Sequence, residues 1–208
     1  MYSYYFQTNS IEHNPTLTNW ESVQVRWETT PETEKQIIIE KNHLTRKQIS
    51  FFDNRHKQAT TIDPLPTEGK YVVKVKIVKY GNSPPFDSVY FGLITQKHKK
   101  NEYSDGRHRG SIAYLSAPDN ITELAGRGTI LMDGVQIAYG EDLFLSEGDE
   151  VKMELNMSTS ELTFINKRKS VTLRVNASYD QKKLFLFTSL CAQDSCISWH
   201  SSDSNVWN

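Results

Sequence analysis

Histidine and carboxylate side chains are the groups in this chain most able to do chemistry, and their spacing points away from catalysis. The six histidines are scattered, and none belongs to a His-Glu-x-x-His or paired Cys/His pattern of the kind that zinc sites use. The sequence also has no Gly-x-Ser-x-Gly elbow and no Gly-rich phosphate loop. We therefore predict a protein that is not an enzyme and that requires no cofactor or metal.

The most regular carboxylates lie on one predicted strand. Glu150, Lys152 and Glu154 alternate with apolar residues and so share its polar face. A retaining glycosidase would need two carboxyl groups about 5 Å apart on one face of a sheet. The lysine between the two glutamates indicates an ion-paired, solvated outer face instead.

The most basic stretch runs from Lys97 to Lys100 and continues at residues 107–109, with Tyr103 between them. A nucleic-acid surface would interleave basic and aromatic residues on a sheet, whereas these residues lie between predicted strands. The formal net charge of −1 also argues against nucleic acid as the partner. We predict a solvated loop, with contact to an acidic peptide as the alternative.

Two loops carry residues suited to binding a partner. Phe86 follows a Pro/Gly-rich loop and is either an exposed anchor or a side chain that packs back under the loop. Gln193, Asp194 and Ser195 lie between two apolar runs, as a plain turn or as part of a recognition surface built from loops.

The dominant periodicity along the chain is two, which is typical of half-buried strands. Turn-forming Gly, Pro, Asn and Asp residues separate the apolar runs, and this arrangement predicts an antiparallel sandwich or barrel. The run at 184–190 is apolar on both faces, so we expect it to lie centrally or to be covered on its second side. The predicted strands are 36–40, 48–52, 71–77, 89–95, 111–115, 129–132, 151–157, 162–165, 171–175 and 184–190.

Residues 31–46 allow two interpretations. Thr30 and Pro31 would suit the N-cap and first position of a helix. The β-branched run Ile37–Ile39 favours a strand, which is the prediction we adopt.

The 208 residues suffice for one large domain with its own core. We predict an N-terminal extension at 1–20, a single sandwich at 21–200 and a C-terminal tail at 201–208. No apolar run is long enough to cross a bilayer, and the first residues do not resemble a signal peptide. Cys191 and Cys196, five positions apart in one supposed strand, would point to opposite faces and stay unpaired. We expect a soluble protein of the cytoplasm, with the nucleus left open.

Residues 70–199, taken in order, resemble a SPRY (B30.2-like) domain. The resemblance is strongest in the stretch from Val135 to Val151, which includes Gly140, Gly148 and Asp149. The sequence departs from the family where Lys167 replaces the glycine of an Asn-Gly turn and Tyr90 replaces a tryptophan. The other matching segments are 70–78, 89–95, 110–116, 161–167 and 184–190, and 49–54 resembles the strand pairing that precedes the family's core.

This resemblance implies an all-β fold with little helix: a two-sheet, antiparallel, bent β-sandwich of the concanavalin-like type. It also implies no catalysis and a protein-binding surface built from loops at one end, as in substrate-recognition modules of ubiquitin ligases or in scaffolds. The sequence contains no RING, B-box or SOCS-box pattern, so a ligase's catalytic machinery would be on another polypeptide. By position, the expected partner-binding residues are Asp53, Asn54, Arg55, Pro85, Phe86, Asp87, Tyr103, Arg107, Gln193 and Asp194.

Three functions follow as hypotheses. The leading one is a module that binds a peptide or loop of a protein partner. The second is a carbohydrate-binding sandwich, which would place aromatic side chains on a concave sheet. The third is a structural subunit whose chain ends dock into neighbours.

Overall fold

The computed structural model of the chain describes residues 21–22, 25–47, 56–81, 88–99, 108–118, 126–175 and 183–201. Its strands form two sheets, here called sheet I and sheet II. Sheet I contains β1 (Glu21–Ser22), β3 (Ile37–Glu40), β4 (His43–Arg46), β6 (Lys70–Lys79), β11 (Glu150–Asn156), β12 (Glu161–Ile165), β13 (Ser170–Arg174) and β15 (Cys196–Ser201). Sheet II contains β2 (Trp27–Thr29), β5 (Lys57–Thr61), β7 (Val89–Thr95), β8 (Ser111–Ala117), β9 (Arg127–Met132), β10 (Val135–Gly140) and β14 (Leu184–Leu190).

The strand order is β13-β12-β11-β6-β15-β4-β3 in sheet I and β10-β9-β8-β7-β14-β5-β2 in sheet II. Every pair in these two orders is antiparallel, and the short β1 adds a parallel pairing to β6. The predicted all-β sandwich with little helix is therefore confirmed. The predicted strand at 48–52 lies outside the described residues.

The alternating strands place their apolar residues between the sheets. In β11, Val151, Met153 and Leu155 are buried, while the side chains between them face outward. The Lys152 ammonium lies 2.6 Å from the Glu154 carboxylate on that outer face. The predicted solvated face with interspersed lysine is confirmed.

Residues 31–46, for which the sequence allowed a helix or a strand, contain both. Residues Pro31–Glu34 form one helical turn, α1, whose N-cap is Thr30. The Thr30 hydroxyl accepts a hydrogen bond from the Thr33 amide, and the Thr33 hydroxyl accepts one from the Thr30 amide. The strand prediction then holds for Ile37–Glu40, because β-branched side chains suit the pleated sheet.

The core contains a cluster of large aromatic side chains between the sheets. Trp199 on β15 packs against Trp27 and Phe91, with ring centroids 5.1 Å and 6.2 Å away. Its indole nitrogen donates a hydrogen bond of 2.8 Å to the Thr188 hydroxyl on β14. This bond joins the two sheets and satisfies a polar group that burial would otherwise leave costly.

The outer face of sheet II is also buried around β14. This agrees with the prediction from Leu184–Leu190, a run that is apolar on both faces and was expected to be covered on its second side. β14 lies between β7 and β5, and Phe185 and Phe187 point away from the main core into a second cluster. The turn after β7 covers part of this cluster. The Lys99 ammonium lies 4.2 Å from the centroid of the Phe185 ring, and the Gln58 amide donates to the His98 and Lys99 carbonyls.

Two polar side chains hold turns in the matching segments 135–151 and 161–167. The Asp149 carboxylate accepts hydrogen bonds from the Ser146 amide at 2.8 Å and the Lys167 ammonium at 2.7 Å. The Asn166 side-chain oxygen accepts from the amides of Arg168 and Lys169, both at 2.7 Å. The turn therefore forms without the family's glycine, because the asparagine side chain itself closes it.

Asn166 is predicted to be a stability residue. Its side-chain amide also donates to the Tyr114 hydroxyl at 3.0 Å and the Asp142 carbonyl at 2.8 Å. Asn166→Ala removes all of these partners and should lower the free energy of unfolding by about 2–4 kcal/mol. Chemical denaturation measures this, with Lys169→Ala in the same turn as the control. A loss no larger than that of Lys169→Ala would contradict the prediction.

Asp149 should contribute a pH-dependent part of the stability. Burial alone would raise the pKa of its carboxyl, but the hydrogen bonds from Lys167 and the Ser146 amide outweigh burial and hold that pKa below its ordinary value. A lowered pKa in the folded state stabilises the protein above about pH 4, and this stabilisation is lost as the pH falls through the folded-state pKa.

We therefore expect the unfolding free energy of the native chain to fall more between pH 5 and pH 3 than that of Asp149→Asn. Parallel denaturation series at fixed ionic strength measure the difference. Equal slopes for the two proteins would show that the Asp149 contacts do not stabilise the fold.

Candidate functional site

The chain crosses from one sheet to the other at residues 191–195, here called the crossing turn. β14 ends in sheet II at Leu190, and β15 begins in sheet I at Cys196. The Ser195 amide and hydroxyl donate to the Ala192 carbonyl at 3.2 Å and 2.6 Å. Asp194 has a φ of 61°, which is a left-handed conformation that asparagine and aspartate tolerate better than most residues. The crossing turn is thus closed by its own hydrogen bonds.

The two cysteines lie at the two ends of the crossing turn. They form no disulfide with each other, as predicted, and both are buried. The reason given from the sequence was wrong, because Cys191 directly follows β14 of sheet II and Cys196 begins β15 of sheet I, so the two are not in one strand. Burial raises the pKa of the Cys196 thiol, although a hydrogen bond from the Thr45 hydroxyl at 3.2 Å acts in the opposite direction.

Backbone hydrogen bonds attach the crossing turn to the end of β4. The Arg46 amide donates to the Ser195 carbonyl, and the Asp194 amide donates to the Arg46 carbonyl, both at 2.9 Å. Arg46 is buried, and its guanidinium donates to the Gln36 side-chain oxygen. The start of the segment that leads to residues 53–55 is therefore fixed to the crossing turn.

Gly81 attaches the end of β6 to the same turn. Its φ is 109°, and a Cβ atom there would lie 2.5 Å from the Gln193 carbonyl oxygen and 2.7 Å from the Ala192 Cβ. Only glycine permits this close approach without displacing the turn. The start of the loop that leads to residues 85–87 therefore also lies against the crossing turn.

Both loops return to the strands beside the crossing turn. Leu190, the last residue of β14, pairs with Lys57 at the start of β5 and with Val89 at the start of β7. The described residues that flank the segments 48–55 and 82–87 thus lie in one small region. The described ends of both loops surround the crossing turn at one end of the sandwich.

A buried tyrosine anchors the base of this region. The Tyr80 hydroxyl lies 2.6 Å from the Ser116 hydroxyl and donates to the Leu145 carbonyl at 2.6 Å. Burial raises the pKa of this phenol strongly, so Tyr80 stays protonated and keeps its donor role. The Tyr80 amide donates to the Glu147 carboxylate at 2.9 Å. The residue next to Gly81 is thereby fixed to β8 and to the segment that contains Leu145 and Glu147.

The ten residues predicted from the sequence divide by position. Gln193 and Asp194 lie on the crossing turn. The described residues that flank Tyr103 and Arg107, namely Lys99 and His108, follow the far end of β7, about 20 Å along that strand from Val89. The other eight predicted residues lie outside the described part of the chain: Asp53, Asn54, Arg55, Pro85, Phe86, Asp87, Tyr103 and Arg107.

Sequence reasoning missed the two residues that hold the site together. Gly81 belonged to a recognised turn signal, but nothing in the sequence showed that its α-carbon faces another backbone. Arg46 stood in an ordinary charged stretch with no motif. Both roles depend on contacts with residues more than a hundred positions away.

The described residues contain neither a metal-binding cluster of side chains nor a helix that could span a membrane. Within them, no group of three or more His, Cys, Asp or Glu side chains could hold a metal ion. The helices of the described part are all too short or too polar to span a membrane. His98 and His108, predicted as loop residues, stack with ring centroids 5.6 Å apart.

The architecture is that of SPRY domains. A human SPRY domain has 14% sequence identity and a TM-score of 0.55, and the match covers 79% of this chain and 94% of that one. The SPRY domain of human HERC1 has 14% identity and a TM-score of 0.57, with 86% of this chain and 100% of that one covered. The TRIM65 PSpry domain has 11% identity and a TM-score of 0.58, with 88% of this chain and 93% of that one covered. No family profile matches the sequence, and neither does any curated protein. The chain therefore has the SPRY fold, and the resemblance stated from the sequence is confirmed for the fold.

The contact at Gly81 should be essential to the crossing turn. Gly81→Ala brings a methyl group into the Gln193 carbonyl and should lower the free energy of unfolding by about 2–4 kcal/mol. Gly148→Ala is the matched control, because Gly148 also has a positive φ of 88° but nothing within 4 Å of its would-be Cβ. Hydrogen exchange at the Asp194 and Ser195 amides should accelerate only in Gly81→Ala. Equal effects of the two substitutions would contradict this account.

Proposed function

We propose that this chain is a non-enzymatic protein-interaction module that binds a peptide or loop of a partner at the crossing-turn end. One observation carries the proposal: two separate loops begin and return beside the crossing turn, which is hydrogen bonded to β4 and in contact with Gly81. Loops held by a rigid framework lose little conformational entropy on binding. The SPRY fold supports the same function, because SPRY domains generally serve as protein-interaction modules.

Within this surface, Phe86 is the proposed apolar anchor and Arg55 the proposed partner of an acidic side chain. A large aromatic residue and an arginine are the residue types that most often dominate binding energy. Asp53, Asn54, Pro85, Asp87, Gln193 and Asp194 complete the proposed surface. Tyr103 and Arg107 are given a secondary role, since their described flanking residues lie at the other end of β7.

A role in substrate recognition for a ubiquitin ligase, or as a scaffold, is the proposed cellular context. The partner would be a protein, and the catalytic machinery of a ligase would be on another chain. Two buried cysteines that form no disulfide agree with the reducing environment of the cytoplasm.

The two alternative functions gain no specific support. A carbohydrate-binding sheet would present aromatic rings to solvent, but no aromatic side chain in the described ranges is exposed. The outer face of sheet I instead carries Lys–Glu ion pairs, such as Lys74 with Glu150 at 3.3 Å. For a structural subunit, the chain ends that would dock lie outside the described residues.

Affinity capture with the full chain tests the proposed surface. Phe86→Ala combined with Arg55→Ala should reduce the recovery of each specific partner by about tenfold or more, since these residues supply the anchor and the charge. Lys152→Ala, on the outer face of sheet I, is the control for a surface charge change and should leave recovery unchanged. Mass spectrometry with isotope labelling measures the ratios.

A second double variant distinguishes the contribution of Arg55 from that of Arg107. Phe86→Ala with Arg107→Ala should cause a smaller loss than Phe86→Ala with Arg55→Ala. The site assignment is wrong if both double variants leave every specific partner bound at full strength while their thermal unfolding matches that of the native chain.

A further inference from the structure

A charged surface lies at the far end of sheet II, opposite the crossing turn. β7 extends over seven residues, from Val89 beside the crossing turn to Thr95, a length of about 20 Å. Beyond Thr95 the chain forms a single 3₁₀ turn, and the next described residues, 108–110, lead into β8. Three exposed cations at this end define what is here called the far-end surface: Lys97, Arg109 and Lys183.

Backbone hydrogen bonds bring the three cations together. The Thr95 amide donates to the Gly110 carbonyl at 3.0 Å, and the Gln96 amide donates to the Lys183 carbonyl at 3.2 Å. The start of the 3₁₀ turn, which carries one of the cations, is thereby bonded to the residue after Arg109 and to Lys183. The three side chains therefore extend from one small region of the backbone.

Two histidines hold the backbone of this region in place. The rings of His98 and His108 are stacked, with centroids 5.6 Å apart and planes 8° from parallel. The His98 carbonyl accepts a hydrogen bond from the Gln58 side-chain amide at 3.3 Å, and the His108 carbonyl accepts one from the Ser111 hydroxyl at 2.7 Å. Each histidine is the sequence neighbour of one cation of the far-end surface. The backbone at those cations is therefore ordered before a ligand binds, which lowers the entropy cost of binding.

The carboxylates at this end leave the far-end surface with an excess of positive charge. Within the described ranges, none of its three cations forms an ion pair. The Asp133 carboxylate accepts the Gly110 amide at 2.6 Å. The other acidic residues here are paired with cations outside the surface: Glu28 with Lys99 at 2.7 Å and Asp63 with Arg26 at 2.5 Å. This local excess stands out in a chain whose formal net charge is −1.

An exposed apolar side chain borders the cations. The Asp133 amide donates to the Ser111 carbonyl at 2.9 Å, which places the turn Asp133–Gly134 beside the start of β8. Val135 directly follows this turn and is 54% exposed, the highest exposure of any large apolar side chain in the described part of the chain. A ligand that extends from the cations to Val135 would remove apolar area from water, which favours binding.

These features fit an acidic peptide better than a nucleic acid. Single-stranded nucleic acid binds by stacking its bases on exposed aromatic rings along a basic groove. No Phe, Tyr or Trp side chain of the described residues is exposed, and the rings of His98 and His108 stack on each other. The carboxylates of a peptide, in contrast, would pair with lysine and arginine, and a neighbouring apolar residue would contact Val135.

We infer that the far-end surface binds an acidic segment of a partner protein that carries an apolar residue among its carboxylates. The carboxylates pair with Lys97, Arg109 and Lys183, and the apolar side chain packs on Val135. Lys183 and Val135 are distant in sequence from the basic stretch at 97–109 and join it only through the fold. Because this surface lies about 20 Å from the crossing turn, each of the two proposed surfaces can fail without the other.

The test titrates the full chain at low salt with a capped synthetic peptide of sequence Glu-Asp-Glu-Leu-Glu-Asp-Glu, followed by NMR of backbone amides. The peptide should shift the resonances of residues 96–99, 109–111 and 133–135 most. The uncharged peptide Gln-Asn-Gln-Leu-Gln-Asn-Gln should bind about tenfold more weakly or not at all, because it has no carboxylates to pair. Serine in place of the leucine should weaken binding about threefold, because the contact with Val135 is lost.

Variants that remove charge locate the binding. Lys97→Gln combined with Arg109→Gln should weaken binding of the acidic peptide about tenfold. Lys76→Gln combined with Arg174→Gln is the matched control, because it removes the same charge from exposed cations on the outer face of sheet I, and it should bind as the native chain does. Lys183→Gln alone should weaken binding about threefold, and it decides the result if the first double variant fails to fold by circular dichroism.

Three results would overturn the inference. One is that the acidic peptide does not bind at low salt, or shifts resonances around the crossing turn instead of the far end. Another is an equal loss of binding in the two double variants, because general attraction between opposite charges would then explain it. The third is tighter binding of a ten-nucleotide thymidine oligomer at the same amides, which would make nucleic acid the ligand. Loss of partners in the Phe86 variants with normal peptide binding at the far end would leave this inference standing.

Discussion

The crossing between the sheets constrains the end of the sandwich more than any other feature. Two packed sheets lie about 10 Å apart, and the chain covers that separation in the five residues between Leu190 and Cys196. So short a connection leaves little freedom, and the closed turn at Ala192–Ser195 uses its own carbonyl to satisfy the Ser195 donors. Other backbone groups of the turn bond to Arg46 at the end of β4, and Gly81 lies against the turn, so the points where the two adjacent loops begin are fixed.

Buried polar groups extend this constraint into the rest of the fold. Tyr80 at the end of sheet I and Tyr114 in sheet II both donate to carbonyls of the segment after β10, at Leu145 and Leu143, each at 2.6 Å. Burial raises the pKa of both phenols, so both remain donors. Asn166 donates to Tyr114 in turn. Because each member of this network would be costly if left unpaired, the segment at 143–145 is held against both sheets.

The proposed crossing-turn surface uses this framework to hold the described ends of two loops beside the crossing turn. Recognition there would depend on side chains carried by those loops. Its specificity could therefore change by substitution within the loops while the framework stays the same.

Most strands could be predicted from the sequence because alternation of apolar and polar residues directly reflects one buried and one solvated face. β7 and β14 have the predicted bounds of 89–95 and 184–190, and β11 differs by one residue at each end. Asn166 shows where local information ran short: the sequence showed only that Lys167 replaces the glycine of an Asn-Gly turn, whereas in the structure the Asn166 side chain closes that turn. Cys191 and Cys196 show the same limit, since a turn between sheets was taken for a continuous strand.

The sequence alone determined the strands, the sandwich class and the absence of recognisable catalytic motifs, since these depend on residues near each other in the chain. Only the tertiary structure decided which loop ends lie beside the crossing turn. Gly81, Arg46 and the crossing turn come together through contacts between residues separated by more than a hundred positions, and no local pattern records such contacts.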